Sequence, residues 1–126
     1  MTGPAILCAG EAVIDLIPED DLLRPVPGGA AFNAARAAAR LGAAAGFFGA
    51  LSRDGFGAKL AAAAMADGVD LSLALRVDAP TPLSLADLSD GDARYTIHDA
   101  GCAGHEVTRE RLPALPGSVR ALLVGG

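Results

Sequence analysis

Basic clusters are missing from this sequence. Ten Lys and Arg stand against fifteen Asp and Glu, a formal net charge of −5 at pH 7, and they occur singly or in loose pairs. No basic stripe exists to neutralise phosphates, which excludes nucleic acid as a partner. Long apolar runs are missing too. None approaches the roughly 18 residues of a membrane span, and the alanine-rich stretch over 34–45 is interrupted by Arg36, Arg40 and Gly42, so no membrane partner is expected. Met1-Thr2-Gly3-Pro4 carries no positive side chain, and the apolar residues 6–9 are too few for the core of a secretory leader. Cysteine is scarce: Cys8 and Cys102 lie far apart without metal-ligand spacing, so no metal site is assigned. Cys8, inside an apolar run, reads as a small core hydrophobe. These absences point to a cytoplasmic setting. No repeat of fixed period occurs, and the alanine richness is compositional.

What is there suffices for a core. Hydrophobic residues make up 52% and charged residues 20% of the 126, enough for one domain with one modest interior. Residues 5–9 form a continuous apolar run suited to a buried strand of a parallel sheet. β character continues over 12–17, past Gly10-Glu11, until Pro18 and the acidic Glu19-Asp20-Asp21 mark a turn. Pro25, Pro27, Gly28 and Gly29 form a breaker cluster ahead of a helix predicted over 31–41, with Gly42 as its C′ residue. Residues 44–51 read as the next strand, and Asp54 is placed to cap a second helix over 56–67, ended by Gly68.

Beyond that the pattern changes. Residues 82–88 and 94–98 are short β segments around Ser89-Asp90-Gly91-Asp92, a hairpin signal. The alternation of Thr81, Leu83 and Leu85, and of Tyr95 and Ile97, suggests a one-sided sheet with these residues on one apolar face. A short helical turn over 108–112 and a buried-strand candidate over 121–124 follow, the latter running into Gly125-Gly126. Strand–helix alternation predicts an α/β layer with a parallel sheet, and the hairpin predicts a small β appendage. A buried strand leading into two glycines normally opens a loop at the carboxyl edge of a sheet, so the 126 residues read as a piece of something longer.

The stretch Pro27-Gly28-Gly29-Ala30-Ala31-Phe32-Asn33 is the most informative chemically. Two glycines let backbone N–H groups approach a ligand closely just before a helix begins. Asn33 falls in the first helical turn, where its amide can both donate to and accept from a hydroxyl. That suits a polyhydroxy ligand; a plain turn before a helix is the alternative. Neither a third glycine nor Gly-Lys-Ser/Thr follows, so this is neither a dinucleotide fingerprint nor a P-loop. Asp15, at a strand end, is either a solvated or capping carboxylate or a ligand-binding one.

In order and spacing, Gly28-Gly29, Asn33, Arg40-Leu41-Gly42, Gly49 and Asp54-Gly55-Phe56-Gly57 resemble the first signature of ribokinase-like (phosphofructokinase-B family) carbohydrate kinases. The opening Gly10-Glu11-Ala12-Val13-Ile14-Asp15-Leu16-Ile17-Pro18 looks like the fructokinase branch. Ser52 and Arg53 stand where many members have Gly-Asp. The resemblance implies a ribokinase-like α/β/α layer, incomplete here, with a small β-sheet lid: a hairpin over about 81–99 joined to a strand over about 12–18. It implies ATP-dependent phosphorylation of a small, fructose-like sugar at a hydroxymethyl group by the complete protein. Asp15, Gly28, Gly29, Asn33, Tyr95 and Ile97 would bind the sugar. His98 is expected to be exposed or to stand behind the residues that touch the sugar, and His105 has no partner in the spacing. Relatives acting on keto-deoxy sugar acids tend to place an Arg near position 99; Asp99 there favours a neutral sugar.

The family's second signature, Gly-Ala-Gly-Asp with the catalytic base, is absent from the chain. Catalytic and cofactor-binding residues are therefore assigned to none of its positions, and the sites for ATP and Mg²⁺ are expected outside it. The resemblance also implies a homodimer through the lid sheet. Two readings follow: a sugar kinase of which this is the N-terminal part, inactive alone, or a truncated, non-catalytic sugar-binding or dimerisation module.

Overall fold

The computed structural model describes residues 2–126; Met1, the first residue of the N-terminal segment considered above, lies outside them. The chain opens with β1 (Ile6–Ala9), β2 (Val13–Glu19) and β3 (Leu22–Gly28), then α1 (Ala30–Arg40), β4 (Ala45–Phe48), β5 (Ala50–Ser52) and α2 (Gly55–Ala66). It continues with β6 (Leu75–Val77), β7 (Leu83–Asp87), β8 (Arg94–His98), two 3₁₀ turns at Ala103–Glu106 and Arg109–Arg111, and β9 (Ala121–Val124). The class is α/β. A parallel sheet has the order β4-β1-β9, a second sheet the order β3-β2-β7-β8, and β5 pairs with β6 in parallel.

The core lies where the helices meet β1 and β4. Phe32 of α1 and Phe47 of β4 are both 0% exposed and meet edge to face, centroids 5.3 Å apart at 88°, an arrangement favoured by the ring quadrupoles. Cys8, Ile14, Leu51, Leu60 and Ala64 belong to the same cluster, so Cys8 is indeed a buried core thiol. Helix α1 is alanine-rich and ends where Gly42 takes φ +93, with its N–H on the Ala39 carbonyl at 3.0 Å. Asp67, past the end of α2, accepts from Arg36 at 2.6 Å and Arg40 at 2.8 Å and ties the two helices together. These two guanidinium hydrogen bonds, Arg40's first, hold the Asp67 carboxyl below the usual carboxylate range.

Four details depart from the sequence reading. The breaker cluster at Pro25–Pro27 lies inside β3, because a strand on the rim of a sheet tolerates proline whose missing N–H would face outward. The strand expected over 44–51 divides at Gly49 into β4 and β5, which enter different sheets. A Cβ at Gly49 would collide with the Gly10 carbonyl oxygen and the Phe47 ring, so only glycine lets the chain bend there. Strand β6 carried no clear signal. Finally, β9 pairs with β1 as a strand but is not buried: Leu122, Leu123 and Val124 are 50%, 42% and 73% exposed, because β9 is the rim of its sheet among the described residues.

Candidate functional site

The register of the four-stranded sheet decides which side chains share a face. Asp15 of β2 lies opposite Val26 of β3 and Ser84 of β7, and Ser84 lies opposite Ile97 of β8. These four form one row across the sheet. Ala86 and Tyr95 pair on the same face, as do Val13 and Gly28 nearer α1. The other face carries Ile14, Leu16 and Leu83, packed on the core. Leu83 and Leu85 pair with His98 and Thr96. The apolar face expected to unite Leu83, Leu85, Tyr95 and Ile97 is thus split between two sides. Ladder partners project to one side of a sheet, and the register sets Tyr95 and Ile97 against Ala86 and Ser84.

Asp15 is half-buried. Burial pushes its carboxyl up from the ordinary value, and the Ser84 side chain opposite it on the ladder works against that rise. Gly28 is required beside it, since a Cβ at 28 would collide with the Asp15 carboxylate. Gly29 is required for a second reason. It takes φ +107 as the N-cap of α1, and a Cβ there would meet the Glu11 carbonyl oxygen. Asn33 closes the first turn, its N–H on the Gly29 carbonyl at 2.8 Å, while its exposed side chain lines a groove with Arg36 and Arg40. Tyr95 and Ile97 are each 58% exposed.

Asp15, Gly28, Gly29 and Ile97 are therefore gathered around one end of one sheet face, with Tyr95 farther along it. Asn33 follows from the same glycine turn but opens onto the groove along α1. Ser84, 5% exposed in the row between Asp15 and Ile97, escaped the sequence reading. Its only signal was a polar residue in an alternating strand.

A larger cleft of about 600 Å³ opens at the carboxyl ends of β1 and β4, where Gly10, Glu11, Phe48 and Gly49 line it together with Asp99 and His105. The His105 Nε2 lies 3.8 Å from an Asp99 carboxylate oxygen, a proximity that sequence spacing did not announce. Gly101, at φ +68, and the 3₁₀ turn over Ala103–Glu106 fold the chain back so that the two approach. Ala103 anchors that loop; it is 0% exposed and its N–H donates to the Pro80 carbonyl at 2.8 Å. His98 is exposed, as expected.

Asp54 holds the other leg of the hairpin. It caps α2 by accepting from the Gly57 N–H at 2.8 Å, and it accepts from the Thr81 hydroxyl at 2.6 Å and the Thr81 N–H at 2.9 Å. Its own N–H donates to the Ser52 hydroxyl at 3.0 Å, giving the departure at Ser52 a structural use. Burial alone would raise the Asp54 carboxyl; hydrogen bonds with Thr81, Gly57 and Ser52 outweigh it and leave the group below its ordinary value.

Comparison with known proteins agrees with this architecture. The family model for pfkB family carbohydrate kinases matches residues 4–121. The chain is 38% identical over 125 residues to a fructokinase of Rhizobium leguminosarum bv. trifolii, covering 95% of this chain and 38% of the relative. It is 43% identical over 92 residues to a fructokinase of Escherichia coli, covering 70% and 30%. Among solved structures it is similar to Xylella fastidiosa fructokinase with bound ATP, at TM-score 0.79 and 34% identity over 86% of this chain and 34% of that one. It is also similar to Salmonella enterica aminoimidazole riboside kinase, complexed with aminoimidazole riboside and an ATP analog, at TM-score 0.73 and 29% identity over 86% and 35%. The chain thus spans 30% to 38% of the length of these curated relatives.

Proposed function

The chain belongs to the pfkB family of carbohydrate kinases, and from that premise we propose that the full-length protein transfers the γ-phosphoryl group of ATP to a hydroxymethyl group of a small, fructose-like sugar. One observation carries the reading: the half-buried Asp15 carboxylate stands in the middle of a sheet row, against a glycine that leaves room beside it. A carboxylate so placed accepts hydrogen bonds from sugar hydroxyls, and such charge-assisted bonds are stronger than neutral ones. Gly28 and Gly29 let the sugar approach the backbone at the start of α1; Asn33, whose side chain opens onto the groove along α1, would have to turn toward the sheet face for its amide to add a donor and an acceptor. Tyr95 and Ile97 cover the sugar from the β7–β8 hairpin, which acts as a lid.

In this reading the chain's part is positioning and the exclusion of water, which in phosphoryl transfer supply much of the rate together with electrostatics. The Asp15 carboxylate, with Glu11 and Asp99 in the cleft at the carboxyl ends of β1 and β4, would repel an anionic sugar, which favours a neutral polyol. Among the described residues no group of three or more His, Cys, Asp or Glu could hold a metal ion. Because the family's second signature is not in this sequence, ATP and Mg²⁺ are proposed to bind in the remainder of the full-length protein, and no step through them is derived from these residues. Exposed Tyr95 and Ile97 on β8 and Leu22 and Leu23 on β3 favour a homodimer through the lid sheet. The proposed setting is the cytoplasm, where Cys8 and Cys102 would stay as free thiols.

Asp15→Asn in the full-length protein tests the reading. It should raise the KM for fructose about 10- to 150-fold, the equivalent of the roughly 1.5–3 kcal/mol of a hydrogen bond to a charged group. The KM for ATP should stay within about twofold. A fructose KM unchanged by the substitution would remove Asp15 from the sugar site.

A further inference from the structure

Ser84 is a hydroxyl in apolar surroundings. It is 5% exposed, and on its own strand and face it is followed by Ala86, 3% exposed, while buried Pro82 precedes it. Across the ladder its neighbours are Ile97 on one side and Asp15 on the other. Of these four side chains only Asp15 can accept a hydrogen bond.

Asp15 has matching needs. Val26 faces it from β3, and its carboxylate lies against Gly28, which offers no side chain. The charged groups nearby are engaged elsewhere or turned away. On the Asp15 side, Arg24 and Glu19 pair with each other at 3.2 Å toward the far end of β2 and β3. From β8, His98 and Arg94 stand opposite Leu83 and Asp87, in the alternate positions that project to the other face. The first turn of α1 has no acidic residue, and Glu11 lines the cleft at the end of β1.

We propose that Ser84 is a positioning residue for Asp15: its hydroxyl donates to one carboxylate oxygen and fixes the other toward the bound sugar. The inference rests on the reading of Asp15 as a sugar-binding residue. A carboxylate turning freely about its last bond would present its oxygens to the sugar in many orientations. Pinned through one oxygen, it keeps the lone pairs of the second aimed at the hydroxyls. The same bond favours the ionised form, the only one able to accept through both oxygens.

The test uses the full-length protein with Ser84→Ala, Ser84→Cys, Ser84→Thr and Asp15→Asn. Cysteine keeps the volume with a weak donor, and threonine keeps the hydroxyl. Ala and Cys should each raise the fructose KM about tenfold, with the ATP KM within about twofold, while Thr stays near the parent. In unliganded Ser84→Ala, the Asp15 carboxyl followed by ¹³C NMR should titrate at higher pH, because a hydrogen bond that lowers its pKa is gone. The acid limb of kcat/KM for fructose should move the same way. An unmoved Asp15 titration, an unchanged fructose KM, or equal losses in the Ala and Thr variants would each overturn the proposal. Loss in Asp15→Asn with a silent Ser84→Ala sinks the role of Ser84 alone. A silent Asp15→Asn sinks the sugar-binding reading and this proposal with it. If the Ala variant does not fold, the Cys and Thr pair still decides.

Discussion

Phe47 and Tyr95 are both aromatic residues on β-strands, and they sit in opposite circumstances. Phe47 is 0% exposed, packed edge to face on Phe32 and flanked by both helices' apolar sides. Tyr95 is 58% exposed, and every residue of its strand, β8, is exposed. The layer around β1 and β4 satisfies its hydrophobic residues internally. On the β7–β8 hairpin Leu83 is half-buried and Ser84 and Ala86 are buried, while Ile97 and Tyr95, the partners of Ser84 and Ala86 on the rim strand, stay exposed.

The comparison is most sharply tested in the core. Phe47→Ala in the full-length protein should cost about 3–5 kcal/mol, a large part of the roughly 5–15 kcal/mol that holds a domain together. Urea denaturation should show the midpoint collapse; a loss below about 1 kcal/mol would mean the two regions are less different than drawn. Next comes the joint between them. Asp54→Ala removes the α2 cap and leaves Thr81 unpartnered, an expected loss of about 2 kcal/mol. Because the folded Asp54 carboxyl lies below its unfolded value, its stabilisation is present above about pH 4 and disappears as pH falls through the folded value. The gap between parent and variant should therefore close on acidification; a gap constant with pH would show that the charge is irrelevant. The smallest effect is expected at the open face. Ile97→Ala should change monomer stability by no more than about 0.5 kcal/mol. If the homodimer forms there, the variant should also lose the concentration dependence of Tm.

Legibility followed the same division. The residues of β1, α1 and α2 announce themselves through apolar runs, helix-forming alanines, the Asp54 cap and the Gly42 and Gly68 stops, all short-range signals. The residues of β7 and β8 were legible as strands through the Asp90-Gly91 turn, but their register was not. Alternation fixes sides within one strand, whereas a six-residue connection over 88–93 can seat the second strand in either parity, and the observed one sets Tyr95 against Ala86 rather than Leu85. Strand β3 was hidden because Pro25 and Pro27 read as breakers unless the strand is known to be a rim. In the site, the short-range Gly28-Gly29 turn could be read directly. Ser84 beside Asp15 and His105 beside Asp99 could not, because each pair lies together only through the ladder or the loop fold.

The prolines of β3 bear on how copies of this sheet could associate. Two residues apart in an antiparallel ladder, Pro25 and Pro27 share one orientation, toward the outer rim, where a further strand would need amide donors they do not possess. That rim is closed to strand addition, and among the described residues β8 is the sheet's other boundary. Growth from a single available edge stops after one event: two molecules joined β8 to β8 complete each other and offer nothing to a third. A sheet with two receptive edges could propagate into a fibre. In this sheet a pair of imide nitrogens leaves one receptive edge, a geometry that disfavours propagation.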